Sequence, residues 1–433
     1  MEKRPRYLFV ISFDGLSSMD FDFIKELPNF KDFLKEASYC KKVYSIYPSL
    51  TYPAHTTIVT GKYPKNHGIV DNTRLQINRS SPDWYWYRKD IKGDTLYDLA
   101  IRKGMKVVAL LWPVTAKSKI QYNVPEIFPN RPWQNQIMVS LMNGSPLYQY
   151  KLNKLFGNLR KGIKQPYLDD FTHQSFLYSI KNLEAELFFV HYTDLDSQRH
   201  DYGFNSKEAR EALLRHDKRL GEFLKVINEK AICDEAAVIL LGDHSSLDED
   251  KVIYLNSWLK EKGFIKVNEK GKIINYQAVA KSCGGSAYIY TKDKDKNLLK
   301  ALRLIFEEIN QKFHCFEYIY NREEALKMGA DPNCSFMLEA NKGYYFLDEI
   351  TDSFIKEISE EKEREDSSYT RSTHGYSPYK ENYTTVFMAK GKGIKKGIVL
   401  ETMNLIDEGP TLAKLLNLEL KDSDGRVLEE ILE

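Results

Sequence analysis

Five short apolar runs stand out along the chain: RYLFVIS at 6–12, KVVALLW at 106–112, LFFVHY at 187–192, AAVILLG at 236–242 and TTVFMAK at 384–390. Each is apolar on successive positions rather than on alternate ones, the pattern of a strand buried on both faces. Between them lie stretches whose apolar residues repeat with the helical period, at Phe30 to Glu36, Thr95 to Lys103, Lys207 to Glu229 and Gly409 to Leu416. The clearest places Ala209, Ala212, Leu213, His216, Leu220, Phe223 and Leu224 on one face. Strands alternating with amphipathic helices predict an α/β protein whose sheet carries helices on both faces. Two regions break the rhythm, 118–170 and 252–348, the second with weak strands, a helix near Leu298 to Asn310 and a Cys-Gly-Gly-Ser turn at Cys283. We expect one catalytic domain over 1–433 with these two regions inserted over the sheet rim, the second as a cap-like subdomain.

In an open α/β sheet, ligands bind beyond the carboxyl ends of the strands, so the polar residues closing each apolar run are the ones to inspect. Asp14 closes the first run, Asp196 follows LFFVHY, and Asp243 and His244 follow AAVILLG. His200, four residues after Asp196, shares its face if a helical turn begins there. His374 lies in the polar segment RSTHGYS. A lone Asp after a strand is usually a cap or turn former, and a lone His is usually hydrogen-bonded structure. Three Asp and three His together suit two borderline divalent ions, zinc above all. The segment around Thr51 adds a nucleophile. Pro53 suits the first position of a helix through Ala54 to Val59, which puts Thr51 or Tyr52 at its N-terminus, where backbone N–H groups favour an alkoxide and a bound phosphate. The bland reading of Thr51 is a helix cap.

Composition narrows the class. The 433 residues, 42% hydrophobic and 13% aromatic, are globular rather than disordered. Lys plus Arg (63) and Asp plus Glu (61) are interspersed, so no groove for a nucleic-acid polymer is indicated. No stretch is long enough to span a membrane. The five scattered cysteines contain no CxxC pair and read as reduced thiols, and MEKRPRYLFVISFDG is too short in its apolar run for a secretory signal. A cytoplasmic location is therefore expected. His67, His173, His216 and His314 read as structural, His55 as positioning its loop, and Trp84 to Tyr87 as a rim strand covering the sheet.

The motifs in order are FDG at Phe13 to Gly15, PSLTYPAH at Pro48 to His55, VTGKYPKNHGIVDN at Val59 to Asn72 and LWP at Leu111 to Pro113. DSQRHDYG at Asp196 to Gly203, GDH at Gly242 to His244, THGY at Thr373 to Tyr376 and GRVL at Gly425 to Leu428 follow. In combination they resemble the nucleotide pyrophosphatase/phosphodiesterase family of the alkaline phosphatase superfamily. The resemblance covers the sheet domain and leaves both insertions unmatched. It implies an alkaline-phosphatase-like mixed sheet flanked by helices, and a hydrolase of phosphodiester or pyrophosphate bonds in small nucleotide-type substrates. It further implies a phospho-threonine intermediate on Thr51 and two metal ions, with zinc expected. Asp14, Thr51, Asp243 and His244 would hold one metal, and Asp196, His200 and His374 the other. Asn72 would hydrogen-bond a phosphate oxygen, and Tyr52 would stack on the leaving base or pack on the substrate; the bland reading of Tyr52 is core packing. The chain departs from the family at His191 (often Tyr), Asp194-Leu195 (Glu-Pro), Arg199 (Gly) and Ser245-Ser246 (Gly-Met). Rival readings are a phosphonate or phosphomonoester hydrolase or a phosphotransferase of the same superfamily and, from another class, an inactive metal-binding protein.

Overall fold

The computed structural model describes residues 4–77, 79, 81–358 and 369–433. Its core is a sheet of nine strands among the described residues. In chain order the first six are β1 (Tyr7–Phe13), β2 (Ser38–Tyr44), β3 (Val107–Leu110), β4 (Tyr122–Val124), β5 (Leu187–Tyr192) and β6 (Ala236–Leu241). Across the sheet the order is Val399–Leu400, β2, Thr385–Gly391, β6, β1, β5, β3, β4, with Met403–Asn404 also pairing β2. Only Thr385–Gly391 runs against its neighbours, which makes a mixed sheet. The α/β architecture expected from the apolar runs is what forms.

Both faces are covered, as the continuous apolar runs require. Successive residues of β1 point to opposite sides. Phe9, Ile11 and Phe13 enter a core with Phe30, Phe176, Leu213 and Phe223, and Leu8 and Val10 enter the other with Ala54, Ile58, Tyr97 and Leu412. The helices predicted at Lys207 to Glu229, Thr95 to Lys103 and Gly409 to Leu416 are present as Lys207–Glu229, Leu96–Arg102 and Glu408–Leu415. Thr95 is not in its helix but caps it, accepting from the Asp98 N–H while Asp98 accepts in return. The helix expected at Phe30 starts two residues earlier, because Pro28 can take its first turn (Pro28–Leu34) without losing an N–H bond.

The two irregular regions behave differently from each other. Segment 118–170 supplies β4, paired in parallel with β3 at the sheet edge, and Val124, Tyr148 and Leu152 join the main core. It is thus partly built into the sheet layer, a correction to the reading of it as lying only over the rim. Its three-residue strand is too short for a periodic signal. Segment 252–348 carries an antiparallel four-stranded sheet, in the order Ala278–Ser282, Ser286–Thr291, Phe336–Ala340, Phe316–Asn321, with the helix Lys296–Phe313 packed on it around a separate apolar core.

Asp194, which opens the helix Asp194–Tyr202 after β5, is fully buried. Arg215 donates to both its oxygens at 2.6 and 2.9 Å, and Arg219 lies at 3.4 Å. Removing one partner of a buried ion pair strands the other's charge. Asp194→Ala is expected to lower unfolding free energy by about 3 kcal/mol in urea titration; a loss below about 1 kcal/mol would mean that the pair contributes no more than a surface one.

Candidate active site

Strands β5, β1 and β6 are adjacent and parallel, with Ser12 opposite His191 on one side and Leu241 on the other. Their carboxyl ends therefore emerge side by side, about 5 Å apart, and bring Asp14, Asp196 and Asp243 together although they are far apart in the chain. Gly15 makes the turn after Asp14 possible. It has φ +73°, a conformation side chains other than glycine rarely adopt, and a Cβ there would lie 3.3 Å from the Asp196 Cβ. Its N–H donates to Asp243 Oδ1 at 3.1 Å, and its carbonyl accepts from the buried guanidinium of Arg199. Arg199 is bound in turn to Asp20 at 2.6 Å.

Thr51 arrives on the helix Thr51–Thr60, every residue of which is buried. Leu50 is its N-cap, so Thr51 takes the first helical position and Pro53 the third rather than the first. The Thr51 Oγ1 lies 3.2 Å from His244 Nε2, and Asp14 Oδ1 and Asp243 Oδ2 each lie 3.3 Å from that same nitrogen. His244 Nδ1 is 3.2 Å from the Ser245 carbonyl, which calls for a proton on Nδ1 and leaves the Nε2 lone pair for the cluster. Ligand atoms of Asp14, Asp243 and His244 all lie within 4.8 Å of one another, as do those of Asp196, His244 and His374. His200 is brought in by Asp196, its Nε2 3.1 Å from Asp196 Oδ2. Its ring stands 5.1 Å from that of His374, which stacks on His244 at 4.0 Å. The structure thus places His244 between the two groups, whereas sequence reasoning put it with only one.

The donor set fits divalent metal ions on an observation independent of motif. Asp14 Oδ1, Asp196 Oδ1 and Asp243 Oδ2 are all buried without a hydrogen-bond partner. Buried polar atoms are nearly always paired, so three orphaned carboxylate oxygens in one site call for bound cations. The electrostatics agree. Burial, then the charges of Asp243 and Asp196, raise Asp14 well above the carboxylate range, and burial lifts Asp243 to about 7. Burial pushes His244 down to about 4 and His374 well below the ordinary histidine value. Burial also opposes the charged ring of His200, but Asp196 outweighs it and holds His200 up at about 9.

Asn72 accepts from the Tyr52 N–H at 2.9 Å through Oδ1, which turns its Nδ2 donors outward, and among the described residues nothing accepts from them. Tyr52 itself is a correction. Its ring is fully buried, edge-on to Trp84 at 5.1 Å, and its hydroxyl reaches the Glu126 carbonyl. It is core, not a stacking wall. The Trp84 to Tyr87 segment touches its neighbours through isolated bridges, Thr73 to Trp84 and Tyr87 to Ala116, rather than as a strand. With Tyr52, Ile69 and Trp86 it makes a small apolar cluster. His55 bridges the Thr51 carbonyl (2.8 Å) and Ser12 Oγ (3.0 Å), and so positions the first turn of the helix that carries Thr51.

Sequence reasoning missed what holds His374. The turn at Cys283 reaches from the inserted subdomain to the THGY segment. The Gly285 N–H donates to the His374 carbonyl at 2.8 Å and Ser286 Oγ to the Gly375 carbonyl at 2.6 Å. Gly375, at φ +90°, has no room for a Cβ, which would sit 1.6 Å from the Cys283 carbonyl oxygen. Two glycines facing an HGY segment are the only trace of this in the sequence.

The family described as type I phosphodiesterase / nucleotide pyrophosphatase matches residues 8–377. The chain belongs to that family. Among curated relatives it is 23% identical to human ectonucleotide pyrophosphatase/phosphodiesterase family member 1, over 92% of this chain and 38% of that protein. It is 21% identical to the Bos taurus bis(5'-adenosyl)-triphosphatase ENPP4, over 97% of this chain and 80% of that one. This chain thus spans well under half the length of the first relative and most of the second. Murine ectonucleotide pyrophosphatase/phosphodiesterase 5, solved as an inactive variant in complex with AMP, shares the fold with a TM-score of 0.66 at 19% identity, over 99% of this chain and 100% of that one. The human counterpart aligns with a TM-score of 0.67 at 18% identity over the same shares.

Two measurements test the site. Zinc saturation is expected to load two ions per chain by metal analysis and to raise the melting temperature, since a ligand bound only by the folded state stabilises it; one ion or none would count against the two groups. Gly375→Ala is expected to shift the His374 backbone and reduce the bound zinc, while an unchanged metal content would show that the Cys283 turn does not set His374.

Proposed function

We propose that this protein hydrolyses phosphodiester or pyrophosphate bonds of nucleotide-type substrates through a phospho-threonine formed on Thr51. The observation that carries the reading is the Thr51 hydroxyl, at a helix N-terminus and 3.2 Å from His244 Nε2, inside a cluster of imidazole groups and unpartnered carboxylate oxygens. Asp14, Thr51, Asp243 and His244 would hold one metal and Asp196, His200 and His374 the other, with His244 between them. Zinc bound there supplies Lewis acidity that lowers a hydroxyl pKa and offsets charge on phosphoryl oxygens.

Thr51 Oγ attacks phosphorus as the bond to the leaving oxygen breaks, and its proton passes to solvent. Water then attacks the phospho-threonine, releases the phosphoryl product and restores the hydroxyl. Through both steps the outward Nδ2 of Asn72 donates to a phosphoryl oxygen, held in that orientation by the Tyr52 N–H on its Oδ1. In the first helical turn the Tyr52 N–H goes to Asn72, Pro53 has none and the Ala54 N–H goes to the Leu50 carbonyl, so the Thr51 N–H and the helix dipole supply the partial positive charge there.

The preference for diesters rests on what is absent around the phosphate. A monoester carries a second charge near neutral pH, which enzymes usually meet with a cation such as Arg. Arg74, two residues beyond Asn72, is spoken for: it binds Asp90 at 2.5 Å and lies over the Tyr85 ring at 4.6 Å. This disfavours the phosphomonoesterase reading. The complete nucleophile and ligand set disfavours an inactive binding protein. The five cysteines, all free thiols and four of them buried, favour a reducing compartment, and we assign the protein to the cytoplasm; recovery from an extracellular fraction would overturn that.

Thr51→Ala is expected to abolish turnover of bis-p-nitrophenyl phosphate with zinc content nearly retained, and Thr51→Ser to keep part of the rate. Near-normal turnover in Thr51→Ala would rule out the covalent route. The kcat/KM for the nitrophenyl diester and for thymidine monophosphate p-nitrophenyl ester is expected to exceed that for p-nitrophenyl phosphate. A tenfold preference for the monoester, about 1.4 kcal/mol in the transition state, would contradict the role given to Asn72.

A further inference from the structure

The carboxylate of Asp14 has two oxygens in different situations. Oδ1 faces the ligand cluster and has no hydrogen-bond partner, whereas Oδ2 lies 3.1 Å from His191 Nε2. His191 sits on β5 directly across from Ser12, two residues before Asp14, and is fully buried. Its other nitrogen, Nδ1, is 3.1 Å from both the Leu111 carbonyl and Glu126 Oε2. Every hydrogen-bond partner of the ring is thus an oxygen, that of Asp14 at one nitrogen and those of Leu111 and Glu126 at the other. Glu126 lies on the side away from Asp14. Its side chain is one-fifth exposed, so this end of the chain of contacts reaches solvent and the other end reaches Asp14.

We propose that His191 and Glu126 are positioning residues of the metal site: they hold Asp14 Oδ2 so that Oδ1 alone is presented to the ion. The proposal rests on the metal reading given above. A carboxylate free to rotate can present either oxygen or both; one pinned through Oδ2 presents a fixed lone pair, and the ordering entropy is lost during folding instead of during metal binding. Loss of such outer contacts typically weakens metal affinity by about 10- to 100-fold. Glu126 also ties this contact to Tyr52 and Asn72, because its backbone carbonyl accepts from the Tyr52 hydroxyl and the Tyr52 N–H holds Asn72.

The test is zinc affinity measured by competition with a chromophoric chelator on the full chain, beside the melting temperature of the metal-free protein. His191→Phe is expected to weaken zinc binding at least about tenfold without a matching fall in metal-free melting temperature. His191→Gln is expected to restore most of the affinity, because its amide N–H can still donate to Oδ2. Wild-type-like affinity in His191→Phe would overturn the proposal. So would equal losses in the Phe and Gln variants that track the metal-free melting temperature, the signature of a packing role. Should His191→Phe fail to fold, Glu126→Gln on the partly exposed side decides: weakened zinc binding supports the role, unchanged binding overturns it. A wild-type protein that binds no zinc overturns the metal reading itself, and with it this inference.

Discussion

Everything at the site depends on the parallel pairing of β5, β1 and β6 in the middle of the sheet. Parallel strands in register release their chains at one edge, at the spacing of the backbone hydrogen bonds. Asp14, Asp196 and Asp243 follow those three ends, so three carboxylates meet in a region shielded from water by the helices on both faces. Burial first, and the neighbouring carboxylate charges after it, raise Asp14 and Asp243. The fold tolerates this because the rest of the sheet is a two-sided apolar core whose burial stabilises it far more than the acidic edge costs.

Around that edge, each further functional group is delivered by a contact that has no other evident use. Gly15 turns the chain where any Cβ would press on Asp196, and Arg199 holds the turn by its carbonyl. The buried helix Thr51–Thr60 points its first hydroxyl at His244, with His55 tying its first carbonyl to the sheet through Ser12. The inserted subdomain reaches in with the Cys283 turn and grips the backbone at His374 and Gly375. A segment that looks like a lid over the sheet is therefore also a support for the His374 backbone. The departures from the family pattern find physical uses as well: Asp194 anchors Arg215 and Arg219, Arg199 braces Gly15, Ser245 Oγ donates to Ser17 Oγ, and His191 contacts Asp14.

The sequence by itself determined the architecture and named the side chains that the fold then gathers at one sheet edge. Short continuous apolar runs alternating with amphipathic helices read as strands buried on both faces, and Asp14, Asp196 and Asp243 follow the ends of three such runs. The amphipathic period drew the helix Lys207–Glu229 with its observed bounds. Boundaries moved where a cap or a proline decided the first turn, at Thr95 and Pro28. What only the tertiary structure decided was contact between residues remote in the chain, for which no local pattern exists. Whether Tyr52 faced substrate or core depended on Trp84 and Glu126, 32 and 74 positions away, and both lie against it. Arg74 was available to a phosphate until Asp90 and Tyr85 were seen to hold it. Glu126 carried no signal at all, since its contact exists only because β4 runs beside β3 and brings Glu126, two residues past its end, up to His191. Side-chain chemistry is written locally, but which oxygen faces an ion and which faces a histidine is set by strand order, and strand order is a property of the folded sheet.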